Sequence, residues 1–185
     1  MFETIQKTLF SAEKASGVRV HEYGVIPVTA LVFSEELFKS CATNVCGHYN
    51  QSWTCPPASG TLEEQKKKII CYREVFVFTT KHDLEDSFDY EGMNEGKEKH
   101  NRLTLEFRTM LGKDFPFYGA GSCPLCRDEN GKDQCAFPEP CLFPDKKIGS
   151  IEAAGINVTE LSKTAGVLYN NGPNTVTYFS MILWN

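Results

Sequence analysis

No apolar run in this 185-residue chain approaches the roughly 18 residues that a membrane-crossing helix requires. The opening MFETIQKTLFSAEK alternates charged with apolar residues where a secretion signal carries an uninterrupted apolar core, so neither a membrane span nor an export signal is expected. A basic stripe is missing too. The lysines of EEQKKKII and EGKEKHNR are interleaved with glutamates, and 19 Lys+Arg against 24 Asp+Glu leave a net charge of −5, which argues against nucleic acid as a partner. There is no internal repeat, no low-complexity tract and no linker rich in Gly, Pro or Ser. No Ser–His–Asp arrangement, paired-carboxylate motif or phosphate loop stands out, and Gly119-Ala120-Gly121 lacks the third glycine and the helix start of a dinucleotide fingerprint. These absences leave a single cytoplasmic domain spanning residues 1–185, of a size that buries one good core.

The apolar pattern predicts a mixed β-sheet packed with helices, in the α/β or α+β class. Phe2, Ile5, Leu9 and Phe10 recur at helical spacing over residues 2–16, and Gly17 ends the run. VRVHEYGVIPV alternates weakly as an extended segment, and Ser34 is placed to cap a short helix that delivers Cys41. Thr61 and Glu64 have capping-box spacing and open a helix through about Tyr72, followed by the strand REVFVFTT. Residues 88–112 read as a long helix with Leu103, Phe107, Met110 and Leu111 inward, and PFYGAG as the next strand. A strand, a helix and a strand in that order imply a right-handed parallel crossover. Asn157 and Glu160 form another capping box, and TVTYFSMILW is the most strand-like run in the chain.

The unusual component is cysteine: there are 8, and seven of them cluster in two loops between those elements. Asn50-Gln51-Ser52 and Asn157-Val158-Thr159 match a glycosylation sequon. Without an export signal, however, clustered cysteines point to metal ligation more than to disulfides. The second group, Cys123-x2-Cys126-x8-Cys135-x5-Cys141, is a complete thiolate set for one zinc ion or one four-iron cluster. Thiolates favour both, and the irregular intervals tilt slightly toward an iron–sulfur centre. The first group, Cys41-x4-Cys46-x8-Cys55, supplies only three thiols, the number that leaves a metal site with an open or exchangeable position. A fourth ligand would be His48, Cys71, a carboxylate or water; Cys71, beside Ile69 and Ile70, reads better as a small core residue.

Other residues near the cysteines carry two readings each. Tyr49 and Trp53 either shield a cluster or stack on a ligand, or else pack the loop onto the core. Glu152 is an acid–base residue, a hydrogen-bond partner of the second site, or a first-turn acid of a helix capped by Ser150. The glycines at 119 and 121 let backbone amides approach the sulfurs of Cys123 and Cys126.

The segments CGHYNQSWTCPPASGTLEE, GSCPLC and PCLFPDKKIGSIEAAGINV resemble the signature segments of a predicted metal-binding protein family, domain of unknown function 2284. The family form C…CG-x-Y…W-x-CPP falls on Cys41, Cys46, Gly47, Tyr49, Trp53, Cys55, Pro56 and Pro57. A second form falls on Cys123, Cys126, Cys135, Pro140, Cys141, Ser150, Glu152, Ala153, Gly155 and Ile156. Family members often carry the third cysteine two or three residues after the second; here Arg127-Asp128-Glu129 stands there and the next cysteine is Cys135. The resemblance implies metal binding, with iron–sulfur chemistry and no settled reaction.

The leading expectation is a cytoplasmic iron–sulfur protein with one or two clusters, of the 4Fe–4S type that four thiolates match, acting in electron transfer or in small-ligand chemistry at the three-cysteine site. Its partners would be a redox protein or a small molecule, not nucleic acid or a membrane. The alternatives are a zinc-stabilised interaction module without catalysis, and one larger site shared by all seven cysteines.

Overall fold

The computed structural model describes residues 1–128 and 133–185. It is an α+β domain in which a five-stranded mixed sheet carries helices on both faces. Helix α1 (Phe2–Ser16) precedes β1 (Tyr23–Pro27), and α2 (Glu35–Ser40) and α3 (Leu62–Ile70) lead to β2 (Glu74–Asp83). The long α4 (Tyr90–Leu111) is followed by the short strands β3 (Phe117–Gly119) and β4 (Gly149–Ser150), then α5 (Val158–Ala165) and β5 (Thr175–Trp184). No helix among the described residues is long and apolar enough to cross a membrane.

The strand order is β1-β2-β5-β3-β4. The last strand inserts antiparallel between β2 and β3, with Phe78 opposite Ser180 on one side and Tyr118 opposite Met181 on the other. β2 and β3 are therefore parallel, as the strand–helix–strand order requires, but they are not neighbours. TVTYFSMILW takes the central position because it is long and its second half, Phe179–Trp184, is mostly apolar on both faces and buried throughout, as a strand paired on both edges and covered on both faces requires.

Period-two alternation divides the core. Phe76 and Phe78 face α1 and α4, where they meet Ile5, Leu9, Leu103 and Phe107. Val75 and Val77 face the other way, toward Ile151, Ile156 and Leu161. Aromatic edge-to-face contacts bind the first layer, with Phe107 at 5.4 Å from both Phe78 and Phe117.

Several boundaries and faces differ from the sequence pattern. Met110 lies outward, 44% exposed; the buried face of α4 runs instead through His100, Leu103, Thr104, Phe107 and Arg108. Those polar residues stay inside because each has partners: Thr104 hydroxyl donates to the His100 carbonyl at 2.9 Å, and Arg108 donates to the carbonyls of Gly112 and Asp145. Helix α3 has the expected capping box but stops at Ile70. Cys71, the residue after it, is exposed and its thiol donates to the Lys68 carbonyl at 3.1 Å, so it is not a core thiol; Ile69 takes the inward position. No helix follows Ser150: residues 151–155 form consecutive turns, and the Ser150 hydroxyl accepts from the Ala153 N–H at 3.1 Å.

Candidate metal centre

The first cysteine loop is built by local turn chemistry. Ser34 Oγ accepts from the Leu37 N–H and starts α2, which ends where Cys41 begins a single 3₁₀ turn. Asn44 then enters the left-handed region at φ 53°, a conformation its short polar side chain tolerates, and its Oδ1 accepts from the Tyr49 N–H at 3.0 Å. The Asn50 N–H reaches back across the loop to the Pro56 carbonyl at 2.8 Å. Cys41 is thereby half-buried, Cys46 exposed and Cys55 buried, and all three line one cavity of about 450 Å³ together with Tyr49, Lys97 and Glu152.

The second loop leaves the end of β3 and returns at β4. Its wide Cys126–Cys135 interval is closed by backbone pairing. Arg127 and Asp133 form an antiparallel bridge, and the Gln134 N–H donates to the Cys126 carbonyl at 2.6 Å. This pairing brings Cys135 back beside Cys126; residues 129–132 lie outside the described residues. Cys123, Cys126, Cys135 and Cys141 line one small cavity of about 10 Å³ with Trp53 and Phe143. A space of that size holds about one water-sized body.

The two loops are tied to each other. The Cys123 N–H donates to Thr54 Oγ1 at 3.1 Å, next to Cys55. Trp53 Nε1 donates to the Glu139 carbonyl at 2.8 Å and its ring meets Phe137 edge-on at 5.1 Å, so Trp53 packs one cysteine loop against the other. His48 is taken by Asp133, with Nδ1 3.3 Å from the carboxylate, and it lines neither thiol cavity. Cys71 lines neither one as well.

Electrostatic influence among the thiols follows the same division. Burial pushes Cys55 up to about 12, with Cys46 and then Cys41 adding to it, and burial followed by Cys46 and Glu152 raises Cys41. Burial likewise raises Cys123 and Cys126, and each then feels Cys135 and Cys141. Against that, the Ile148 N–H donates to Cys123 Sγ at 3.4 Å. That sulfur receives its amide from Ile148, while the Gly121 N–H donates to Glu152 Oε2 at 3.1 Å, which departs from the expected role of the 119–121 glycines. Glu152 also accepts from the Ser150 hydroxyl at 2.8 Å, and it borders the three-cysteine cavity, not the four-cysteine one.

The match to a known family is extensive. The family model for a predicted metal-binding protein, domain of unknown function 2284, matches residues 24–184. The chain belongs to this family. Membership of domain of unknown function 2284 supports a metal cofactor without naming the metal. No curated protein and no solved structure matches the chain. Among the described residues, no group of three or more His, Cys, Asp or Glu side chains is drawn together closely enough to hold a metal ion. The donor chemistry nevertheless fits a thiophilic metal: all eight cysteines are free, and seven of them border two neighbouring cavities in sets of three and four.

Lys97, Ser122, Asp133 and Tyr178 belong to this neighbourhood, and sequence reasoning did not single them out. Lys97 is embedded in the charge-alternating EGKEKHNR, which reads as a solvated helix face. Ser122 had one visible signal, its position next to Cys123.

Proposed function

We propose that the chain is a cytoplasmic iron–sulfur protein with two thiol sites. Cys123, Cys126, Cys135 and Cys141 would hold one centre with a full set of protein ligands, and Cys41, Cys46 and Cys55 would hold a cluster with an iron position free of protein ligands. The observation that carries this reading is the division of the seven thiols between two cavities, three around about 450 Å³ and four around about 10 Å³. The larger cavity has room for a multi-atom cluster and a small ligand beside it, in the volume range of small-molecule sites. When bound, a cluster supplies one-electron chemistry, and a three-cysteine cluster also supplies a Lewis-acidic iron. The chain contributes the thiols, the burial around Cys55 and the Trp53 clamp between the loops.

A second reading holds for the four-cysteine set alone. Its cavity, of single-ion size, favours one structural zinc there. Iron, zinc and acid-labile sulfide counts on protein purified without oxygen, with absorption near 400 nm, separate these outcomes. Iron and sulfide in equal number support clusters, iron and sulfide with one zinc support a mixed protein, and zinc alone with no sulfide removes the iron–sulfur proposal.

A further inference from the structure

The cavity beside Cys41, Cys46 and Cys55 contains more than thiols. Lys97 reaches it from α4, and its Nζ lies 3.1 Å from the place a β-carbon on Gly121 would occupy. Neighbouring charges on that helix are paired, Lys99 with Glu95 and Glu98 with Arg127. Lys97 has no ion pair or hydrogen bond among the described residues. Glu152, the carboxylate of the cavity, is already engaged by the Gly121 N–H and the Ser150 hydroxyl.

Ser122 borders the same cavity, only 3% exposed, and its buried hydroxyl has no partner among the described residues. A buried hydroxyl left unpaired is unfavourable and calls for explanation. Around these polar groups the wall is aromatic and soft. Tyr90, Met93 and Tyr178 line it with Tyr49, and the Tyr178 ring is fixed by its hydroxyl donating to the Met93 carbonyl at 2.6 Å.

We propose that this cavity binds a small aromatic carboxylic acid. Its carboxylate would pair with the Lys97 ammonium and accept from the Ser122 hydroxyl, and its ring would lie against the tyrosines and Met93, alongside the three thiols. One unpaired cation matches one negative charge. A phosphate is a poorer fit, because the loop amide best placed to serve it, that of Gly121, is committed to Glu152, and that carboxylate opposes a dianion. The inference goes beyond the iron–sulfur reading and does not depend on which metal the thiols hold.

The test is calorimetric titration of the full chain, purified without oxygen, with benzoate and 3-phenylpropionate and with their uncharged amides. Iron, zinc and sulfide are counted on every sample. The acids should saturate and the amides should not. Lys97→Gln should weaken binding by about tenfold or more and Lys97→Arg by much less, as a charge-assisted contact requires. Ser122→Ala should weaken it by about threefold to tenfold, the effect of one neutral hydrogen bond. Unchanged thermal melting and metal content of the Lys97 variants show that the loss is not one of folding. Acid binding by metal-free protein supports the inference while removing the iron–sulfur proposal. Full metal content with no saturable acid binding overturns the inference alone, as does equal binding by wild type and Lys97→Gln.

Discussion

Acid should destabilise this protein through one buried histidine. His100 is 1% exposed, stacked on Phe78 at 5.7 Å, and hydrogen-bonded at both ring nitrogens, Nδ1 with Thr80 Oγ1 at 2.9 Å and Nε2 with Ser180 Oγ at 2.8 Å. Burial, reinforced by His82, pushes its pKa down to about 3. An unfolded histidine titrates near 6.5, so below that pH the unfolded chain takes up a proton that the folded one refuses. Stability is therefore intact above about pH 6.5 and falls by about 1.4 kcal/mol per pH unit below it, until the folded pKa is reached. At pH 5 the loss from this residue is about 2 kcal/mol. His100→Gln should be less stable than wild type at pH 8, because ring packing is lost, and the gap should narrow by about 2 kcal/mol at pH 5. Urea unfolding of both proteins between pH 8 and 5 measures it, since groups shared by the two cancel in the difference. Parallel stability curves, or a His100 ring seen by NMR to titrate near 6.5, would refute the reasoning.

Thr61→Ala removes the Thr61–Glu64 capping box and should lower stability by about 1 kcal/mol, read as a reduced melting temperature. Arg108→Met breaks the donations to the Gly112 and Asp145 carbonyls while keeping apolar contact with Phe117. It should cost about 3 kcal/mol and speed amide exchange in the 141–148 return segment, whereas unchanged exchange would place the coupling elsewhere. Gly24→Ala would drive a β-carbon into the Ala165 carbonyl oxygen, a backbone atom that cannot swing aside. It should force β1 and α5 apart at a cost of about 2 kcal/mol in urea unfolding.

The sheet and helices were legible in the sequence wherever a period was long enough to read. The capping box at Thr61 and the N-cap at Asn157 located the starts of α3 and α5, and alternation marked β2 and β5. Strand order was not legible, because β5 lies far along the chain from both strands it pairs with and nothing local announces which gap it fills. Met110 was misplaced because apolar character outvoted the polar residues of α4, whose burial depends on partners distant in sequence, such as Ser180 for His100 and Asp145 for Arg108. Cys71 was misplaced because Ile69 holds the inward position, and a residue two places further along a helix points to the opposite face. The two cysteine groups could be read directly from their clustering. The return of Cys135 to Cys126 was missed: it depends on pairing between Arg127 and Asp133, and Asn130-Gly131, a tight-turn signal in the sequence between them, was passed over. One of the three readings of Glu152 placed it at the second site, but it borders the first cavity, because it neighbours the second loop in sequence and the first in space.

The division of thiols into two independent sites is tested most directly by metal and sulfide analysis of Cys41→Ala and Cys123→Ala, each purified without oxygen beside wild type, with electron paramagnetic resonance of the reduced samples. Each variant should lose the metal of its own set and keep that of the other, leaving complementary spectra. Loss of all metal and sulfide from both variants would contradict two sites and indicate one centre shared by the seven cysteines.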